Sequence, residues 1–324
     1  MDARPPAPGS APSPPAWGPQ FVISLYSRYA TEVPQLKTFD AFIPSIGKSY
    51  GGEERRILYL MVRQFSPGVI FEVSPKRGWS TLHMAAALER NGGGQIVSFE
   101  LDPLVAWAAR RTLRRARLAH RAEIVVGDVR EQLPRAYERL RKSSRITGIE
   151  FLFIDADHGA EFATWYLENL FPLVKQSGVI HIHDIEATPQ RVVNGEAIYP
   201  EPSGEEKVLA EYLVMRAETY RWFSVAEAVR DEAYISRVRR FGGGDLSLPP
   251  AGRLHAIAKT LGFDRNPSLW VLKVGEQETS AYPYRGFEPL TADLVRALER
   301  KRRFAFLLAP LSEMRRSVRR AFRG

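Results

Sequence analysis

The chain contains no cysteine. Disulfides, thiolate metal ligands and thiol nucleophiles are therefore excluded, and the composition fits a cytoplasmic protein. Nor is there any run approaching the ~18 apolar residues of a membrane span. The first twenty residues, MDARPPAPGSAPSPPAWGPQ, lack the apolar middle of a secretory signal and hold seven prolines. They read as a disordered or polyproline-like leader over residues 1–20. Net charge is small through most of the chain. The formal net charge is +9, yet residues 291–324 alone carry ten Lys/Arg against Asp293, Glu299 and Glu313. The body is close to neutral, and an argument for an anionic partner concerns only the tail.

What is present is a chain of 324 residues with 44% hydrophobic content, ample for a large core. Helical patterns at Phe21–Ala30 and Glu53–Phe65 suggest an N-terminal helical cap over residues 21–66. From there the pattern alternates. Strands are expected at Val69–Val73, Gln95–Glu100, Ala122–Val126, Ile149–Asp155 and Gly178–Asp184. Helices are expected between them at Ser80–Arg90, Pro103–Ala119, Arg130–Lys142 and Glu161–Val174. Short strands separated by longer helices predict an α/β fold with a mostly parallel sheet and helices on both faces. Runs such as VIFEV and IEFLFID suit strands covered on both sides. After residue 184 comes a Pro/Gly-containing loop. The capping-box pattern Ser203-Gly-Glu-Glu206 then opens a helix reaching about Trp222, and SLWVLKV, residues 268–274, supplies a late strand.

The informative scarcity is glycine in Glu72–Thr81, EVSPKRGWST, between the first strand and the following helix. A dinucleotide loop spends three glycines bringing backbone up to a pyrophosphate. Here Ser74 and Pro75 stand where the first tight-turning glycine would be, and only Gly78 remains. That argues against NAD or FAD and for a nucleoside ligand without phosphate, such as S-adenosylmethionine. Gly78 then allows close approach, and the hydroxyls of Ser80 and Thr81 sit at the helix start. Glu100 ends the second strand 22 residues after Gly78, where a carboxylate takes ribose hydroxyls. Asp128, in Val126–Val129, ends the third strand near the adenine edge.

With these residues the chain resembles the class I S-adenosylmethionine-dependent methyltransferases over about residues 50–275. The resemblance is closest to small-molecule and sugar O-methyltransferases, whose fourth strand ends in Asp-Gly/Ala-Asp-His and whose fifth ends in His-Asp. The corresponding segments are FIDADHGAEF and GVIHIHDI. The resemblance implies a Rossmann-like seven-stranded sheet with an antiparallel last strand, and Glu72 and Gly78 match the family's loop while Ser74 replaces its usual glycine. The methyltransferase domain is thus expected over residues 67–275, with a substrate-side insertion at 185–267 and a basic helical tail at 276–324. Tyr199, Tyr212 and Trp222 are expected around the acceptor.

Methyl transfer from a sulfonium is an in-line displacement, and the acceptor's proton must go somewhere. His158 is the first choice as base. Asp155 and His183 stand at the same strand ends, and His183 is the alternative base. Asp155 and Asp184 also read as ligands of a divalent metal such as Mg²⁺ that would acidify the acceptor hydroxyl. His83, His120 and His255 read as structural.

In the tail, Phe304, Leu307, Leu308, Leu311, Met314, Val318 and Phe322 recur at helical spacing among arginines. Such a helix packs on its own domain, pairs with a second copy in a homo-oligomer, binds an acidic partner, or lies on an anionic membrane. The expected function is O-methylation of a small hydroxylated molecule, in the family's pattern a sugar or a glycosylated secondary metabolite. The alternatives are a non-methylating use of the same fold, hydroxylase-like or non-catalytic, and a nucleic-acid methyltransferase. The last lacks both the cysteine for cytosine C5 chemistry and an Asn/Asp-Pro-Pro-aromatic motif.

Overall fold

Val69–Val73 (β1) is buried at every position, as a strand covered on both faces must be. It sits near the middle of a seven-stranded sheet. The other strands are Gln95–Glu100 (β2), Ala122–Val126 (β3), Ile149–Ile154 (β4), Val174–Ile182 (β5), Tyr220–Ser224 (β8) and Leu269–Lys273 (β9), in the order β3-β2-β1-β4-β5-β9-β8. The first five strands pair in parallel, while β9 runs antiparallel to both β5 and β8. A short antiparallel hairpin, Arg191–Val193 (β6) with Glu196–Ile198 (β7), stands apart. The computed structural model describes residues 17–33, 35–36, 52–183, 185, 191–193, 196–198, 204–224, 268–283 and 290–305.

Two apolar layers hold the sheet. One packs Pro19–Arg28 (α1), Gly52–Phe65 (α2), Trp79–Asn91 (α3) and Pro103–Arg115 (α4) on one face. The other packs Val129–Lys142 (α5), Ala160–Asn169 (α6) and Gly204–Met215 (α7) on the opposite face. A last helix, residues 292–305 (α8), follows the sheet. None of the helices among the described residues is long and apolar enough to cross a membrane. The chain order reverses between β1 and β4, the place where open α/β sheets form a ligand crevice beyond their carboxyl ends.

The N-terminal cap is tied down by charge as well as by apolar packing. Glu32 accepts hydrogen bonds from the Tyr59 hydroxyl (2.6 Å) and Arg63 Nε (2.8 Å), all three groups being buried. The cap also begins earlier than the leader boundary expected at residue 20. Trp17 is buried against Phe21, Phe65 and Phe223, and Pro19 supplies the fixed φ suited to a first helical turn.

Other boundaries moved for local reasons. The fourth expected helix, Glu161–Val174, stops at Asn169. Pro172 cannot donate to a helix interior, so Phe171–Leu173 forms a 3₁₀ turn and β5 begins at Val174 instead of Gly178. The helix expected over Pro103–Ala119 ends at Arg115, before Arg117 turns left-handed with φ 63°. The segment read as helix through Trp222 breaks after Met215, and Tyr220–Ser224 pairs with β9 as an edge strand. Trp222 and Tyr212, both partly buried, pack against the core. Tyr199 lies outside the described residues, as do residues 1–16, most of 185–267 and all of 306–324.

Candidate active site

The loop Ser74–Gly78 turns through three left-handed residues. They are Ser74 (φ 63°), Lys76 (φ 47°) and Gly78 (φ 81°). Only the last is glycine, so each of the other two carries a backbone cost of about 1–2 kcal/mol. Cross-links offset it. Ser74 N donates to Phe99 O (2.9 Å), and Lys76 N donates to Glu100 Oε2 (3.1 Å). Gly78 is required on two counts, because a Cβ there would meet the Ala109 backbone of α4 at 3.2 Å.

Beyond this loop a cavity of about 550 Å³ opens at the carboxyl ends of β1, β2, β3 and β4, a size usual for small-ligand sites. Ser74, Glu100, Asp102 and Asp128 line it, with Gly127, Ala156 and Asp157. Glu100 is pinned by two backbone donors, Lys76 N and Asp102 N (3.0 Å), and is only 7% exposed. Burial pushes its carboxyl above the usual range, against the pull of those donors. Asp128 caps α5 through Arg130 N (2.9 Å), and its carboxylate takes the Arg130 guanidinium at 2.7 Å.

At the loop after β4, His158 Nδ1 lies 2.6 Å from Glu205 Oε2. The imidazole is 37% exposed, whereas the carboxylate is 1% exposed. Glu205 also accepts from the Tyr166 hydroxyl (3.1 Å), and Glu205 N donates to His158 O (3.1 Å). Burial raises the Glu205 carboxyl and the His158 bond opposes that rise. The pairing needs α7 to start close against α6. Gly204 provides this, since a Cβ there would lie 2.8 Å from Ala160 N. A carboxylate on Nδ1–H fixes the neutral tautomer whose acceptor is Nε2. That is the arrangement of a general base on a loop that lines the cavity through Ala156 and Asp157.

Residues 75–185 match the methyltransferase domain family. The match spans about a third of the chain and lies inside the seven-stranded sheet domain. Among curated proteins it is similar to a catechol O-methyltransferase from Niastella koreensis, 25% identical over 52% of this chain and 71% of that one. A catechol O-methyltransferase from Mycobacterium tuberculosis is 28% identical over 52% of this chain and 68% of the relative. Among solved structures, an O-methyltransferase from Bacillus cereus in complex with SAH shows 19% identity and a TM-score of 0.45 over 81% of this chain and 100% of the other.

Several expected site residues lie elsewhere than the motifs suggested. Glu72, Ser80 and Thr81 do not face the cavity. Glu72 is fully buried and accepts from Ser80 Oγ (2.5 Å), Thr81 Oγ1 (2.7 Å) and Ser98 Oγ (2.5 Å). This cluster buttresses the loop from beneath, with its polar capacity spent internally. His183 is likewise fully buried, between Glu54 Oε2 (3.2 Å) and Asp155 Oδ1 (3.5 Å), so it cannot reach an acceptor directly. Ser268 Oγ donates to the other Glu54 oxygen (2.5 Å). His83 bonds the Trp79 carbonyl from within the core, and burial drops its pKa to about 3. His120 pairs with Glu89 at the surface, and His255 lies outside the described residues.

The metal expectation fares differently. Asp184 lies outside the described residues. Asp155 is 4% exposed and takes the Lys76 ammonium at 3.2 Å. Burial alone would raise its carboxyl, but His183 and Lys76 outweigh that and hold it below the usual range. A fixed cation already neutralises the one carboxylate offered. Among the described residues no group of three His, Asp or Glu side chains is placed to hold an ion. The described residues thus pair Asp155 with Lys76 and His183, and its expected co-ligand Asp184 is not among them.

Glu54, Lys76, Asp102 and Glu205 escaped the sequence reading, although Glu205 and Lys76 each sat inside a motif that was singled out. The Glu72 cluster yields a pH test. Burial pushes the Glu72 carboxyl from 4.5 to about 7, opposed by the three hydroxyls and aided by the Asp155 charge. The unfolded chain ionises this group near its ordinary value. Its contribution to stability is full below about pH 4.5 and is lost as pH rises through about 7, on the order of 3 kcal/mol at most. Denaturant unfolding of Glu72→Gln should show a flatter stability profile than the parent between pH 5 and 8. Parallel profiles would remove Glu72 as the titrating group.

Proposed function

We propose that the protein transfers the methyl group of S-adenosylmethionine to a hydroxyl oxygen of a small molecule, with His158 as the base. The observation that carries this reading is the His158–Glu205 pair, set on the loop that also walls a cavity lined by Glu100 and Asp128. Glu100 is placed to accept from ribose hydroxyls, and Asp128 stands at the adenine edge. S-adenosylmethionine held there would supply an electrophilic methyl group to the acceptor oxygen, its sulfur ending as a neutral thioether. The hydroxyl proton passes to His158 Nε2, and the buried Glu205 carboxylate balances the imidazolium that forms.

The relatives named as catechol O-methyltransferases support a small hydroxylated acceptor. Because Asp155 is paired with Lys76, the reading does not require two vicinal hydroxyls for chelation. A single hydroxyl suffices, including one on a sugar or a glycosylated secondary metabolite. Calorimetry should show S-adenosylmethionine and its demethylated product binding, and NAD failing to bind. Labelled methyl should then appear on a member of a panel of catechols, monophenols and sugar-bearing compounds. NAD binding without S-adenosylmethionine binding would overturn the cofactor. Cofactor binding with no turnover on any acceptor, unchanged in His158→Ala, would favour a non-catalytic role.

A further inference from the structure

The cavity beyond Glu100 is not built from the sheet domain alone. One wall is α8, which presents Leu294, Leu298 and Lys301 to it, preceded by Leu290. Positions 290, 294 and 298 recur every four residues and 301 follows three later, so these side chains share one helix face. Lys301 Nζ reaches Asp102 Oδ2 at 2.5 Å. Asp102 is the residue that caps α4 through Leu104 N (2.9 Å) and donates its own N–H to Glu100. The tail helix is thus tethered one residue from Glu100's neighbour in the same hydrogen-bond chain.

We propose that α8 is the outer wall of the nucleoside site, that Leu294 and Leu298 pack on the bound nucleoside, and that the cofactor product leaves only when this helix moves. The inference rests on the reading of the cavity as the nucleoside site. Two observations separate a wall from a plug. About 550 Å³ remains open with the helix seated, so α8 borders the ligand space without filling it. Leu294 is 39% exposed even though its side chain lines the cavity, which leaves apolar surface for a ligand to cover. The Lys301–Asp102 pair is partly exposed, at 47% and 22%. Such pairs contribute little and are screened by salt, so the leucines carry most of the closure. The basic residues of the tail therefore include one with a role inside the protein, at the rim of its own site.

The test uses the full-length chain and S-adenosylhomocysteine as the probe, with calorimetry for affinity and stopped-flow displacement for release. A Leu294→Asp/Leu298→Asp variant should release the probe about ten- to a hundredfold faster than the parent. Lys301→Ala should accelerate release only a few-fold, with 0.5 M salt doing the same to the parent, roughly as expected of one exposed pair. Folding is checked by circular dichroism, and if the double Asp variant is unfolded, Leu294→Ala/Leu298→Ala carries the test in the same direction. Folded variants that release the probe at the parental rate would overturn the proposal while leaving the cofactor reading intact. Failure of the folded parent to bind the probe at all would instead sink the nucleoside reading, and the wall with it.

Discussion

Replacing His158 by alanine is expected to lower kcat by about 10²–10⁴ while leaving cofactor affinity nearly unchanged. The imidazole sits on the loop after β4, outside the set of residues lining the cavity at Glu100 and Asp128, so its loss should not disturb that end of the site. Its partner makes a second, separable prediction. Glu205 is buried and holds both the His158 ring and the Tyr166 hydroxyl. Glu205→Gln keeps the volume but removes the charge that stabilises the imidazolium. It should lower kcat by roughly tenfold or more, shift the acidic limb of the kcat profile to lower pH and leave KM for the cofactor unchanged. The shift follows because an imidazole that loses a neighbouring carboxylate binds its proton less tightly. A purely structural Glu205 would alter stability without moving that limb. Parental turnover by His158→Ala would reject the base. His183 does not inherit the role directly, since it lies fully buried behind Asp155; a group outside the described residues would have to be sought.

What the sequence made legible was the sheet and which residues stand at its carboxyl edge. β1 was found because a buried parallel strand is a short continuous apolar run; Gly78 was expected to let a ligand approach, and what approaches it closely is the Ala109 backbone of α4. Glu100 and Asp128 line the cavity at the strand ends where they were expected, because strand ends in this fold lie at one edge in a known order, so local position fixes spatial position. The pairings were not legible. Glu205 lies 47 residues from His158, and Glu54 lies 129 residues from His183. Hydrophobic periodicity states which face of an element is covered but not which polar group faces it across the core. Glu72 shows the opposite error. Its position in the loop motif was read as ligand contact, but three nearby hydroxyls claim its oxygens inside the protein. A motif locates a residue along the chain, and only packing decides which way its side chain is used. The tail shows the same limit. Of the stripe read in the sequence only Phe304 is described, and it is exposed; the face at the cavity is built instead from Leu294, Leu298 and Lys301, which that spacing did not single out.

Glu100→Ala is expected to weaken S-adenosylhomocysteine by roughly ten- to a hundredfold or more. Each charge-assisted hydrogen bond from a ribose hydroxyl contributes about 1.5–3 kcal/mol. The carboxylate has about four lone-pair positions, and Lys76 N and Asp102 N take one each, so acceptor capacity remains toward the cavity. Its removal also leaves two backbone N–H groups without their carboxylate partner. The Lys76 loop residue is held left-handed partly by that bond, so the loop should loosen as the ribose contact is lost. Glu100→Gln separates these effects, because an amide still accepts through one oxygen. It should recover part of the affinity and most of the thermal stability lost in the alanine variant. The parent adds a pH signature. Burial raises the Glu100 carboxyl, so it takes up a proton at a higher pH than an exposed glutamate would. Only the ionised form accepts from both hydroxyls at full strength. Affinity should therefore be complete at neutral pH and fall on acidification before ordinary surface carboxylates titrate, and the alanine variant should lack that fall. Calorimetry at neutral and acidic pH measures both. Equal affinity of parent and Glu100→Ala would take Glu100 out of the site and leave the cavity without its ribose acceptor.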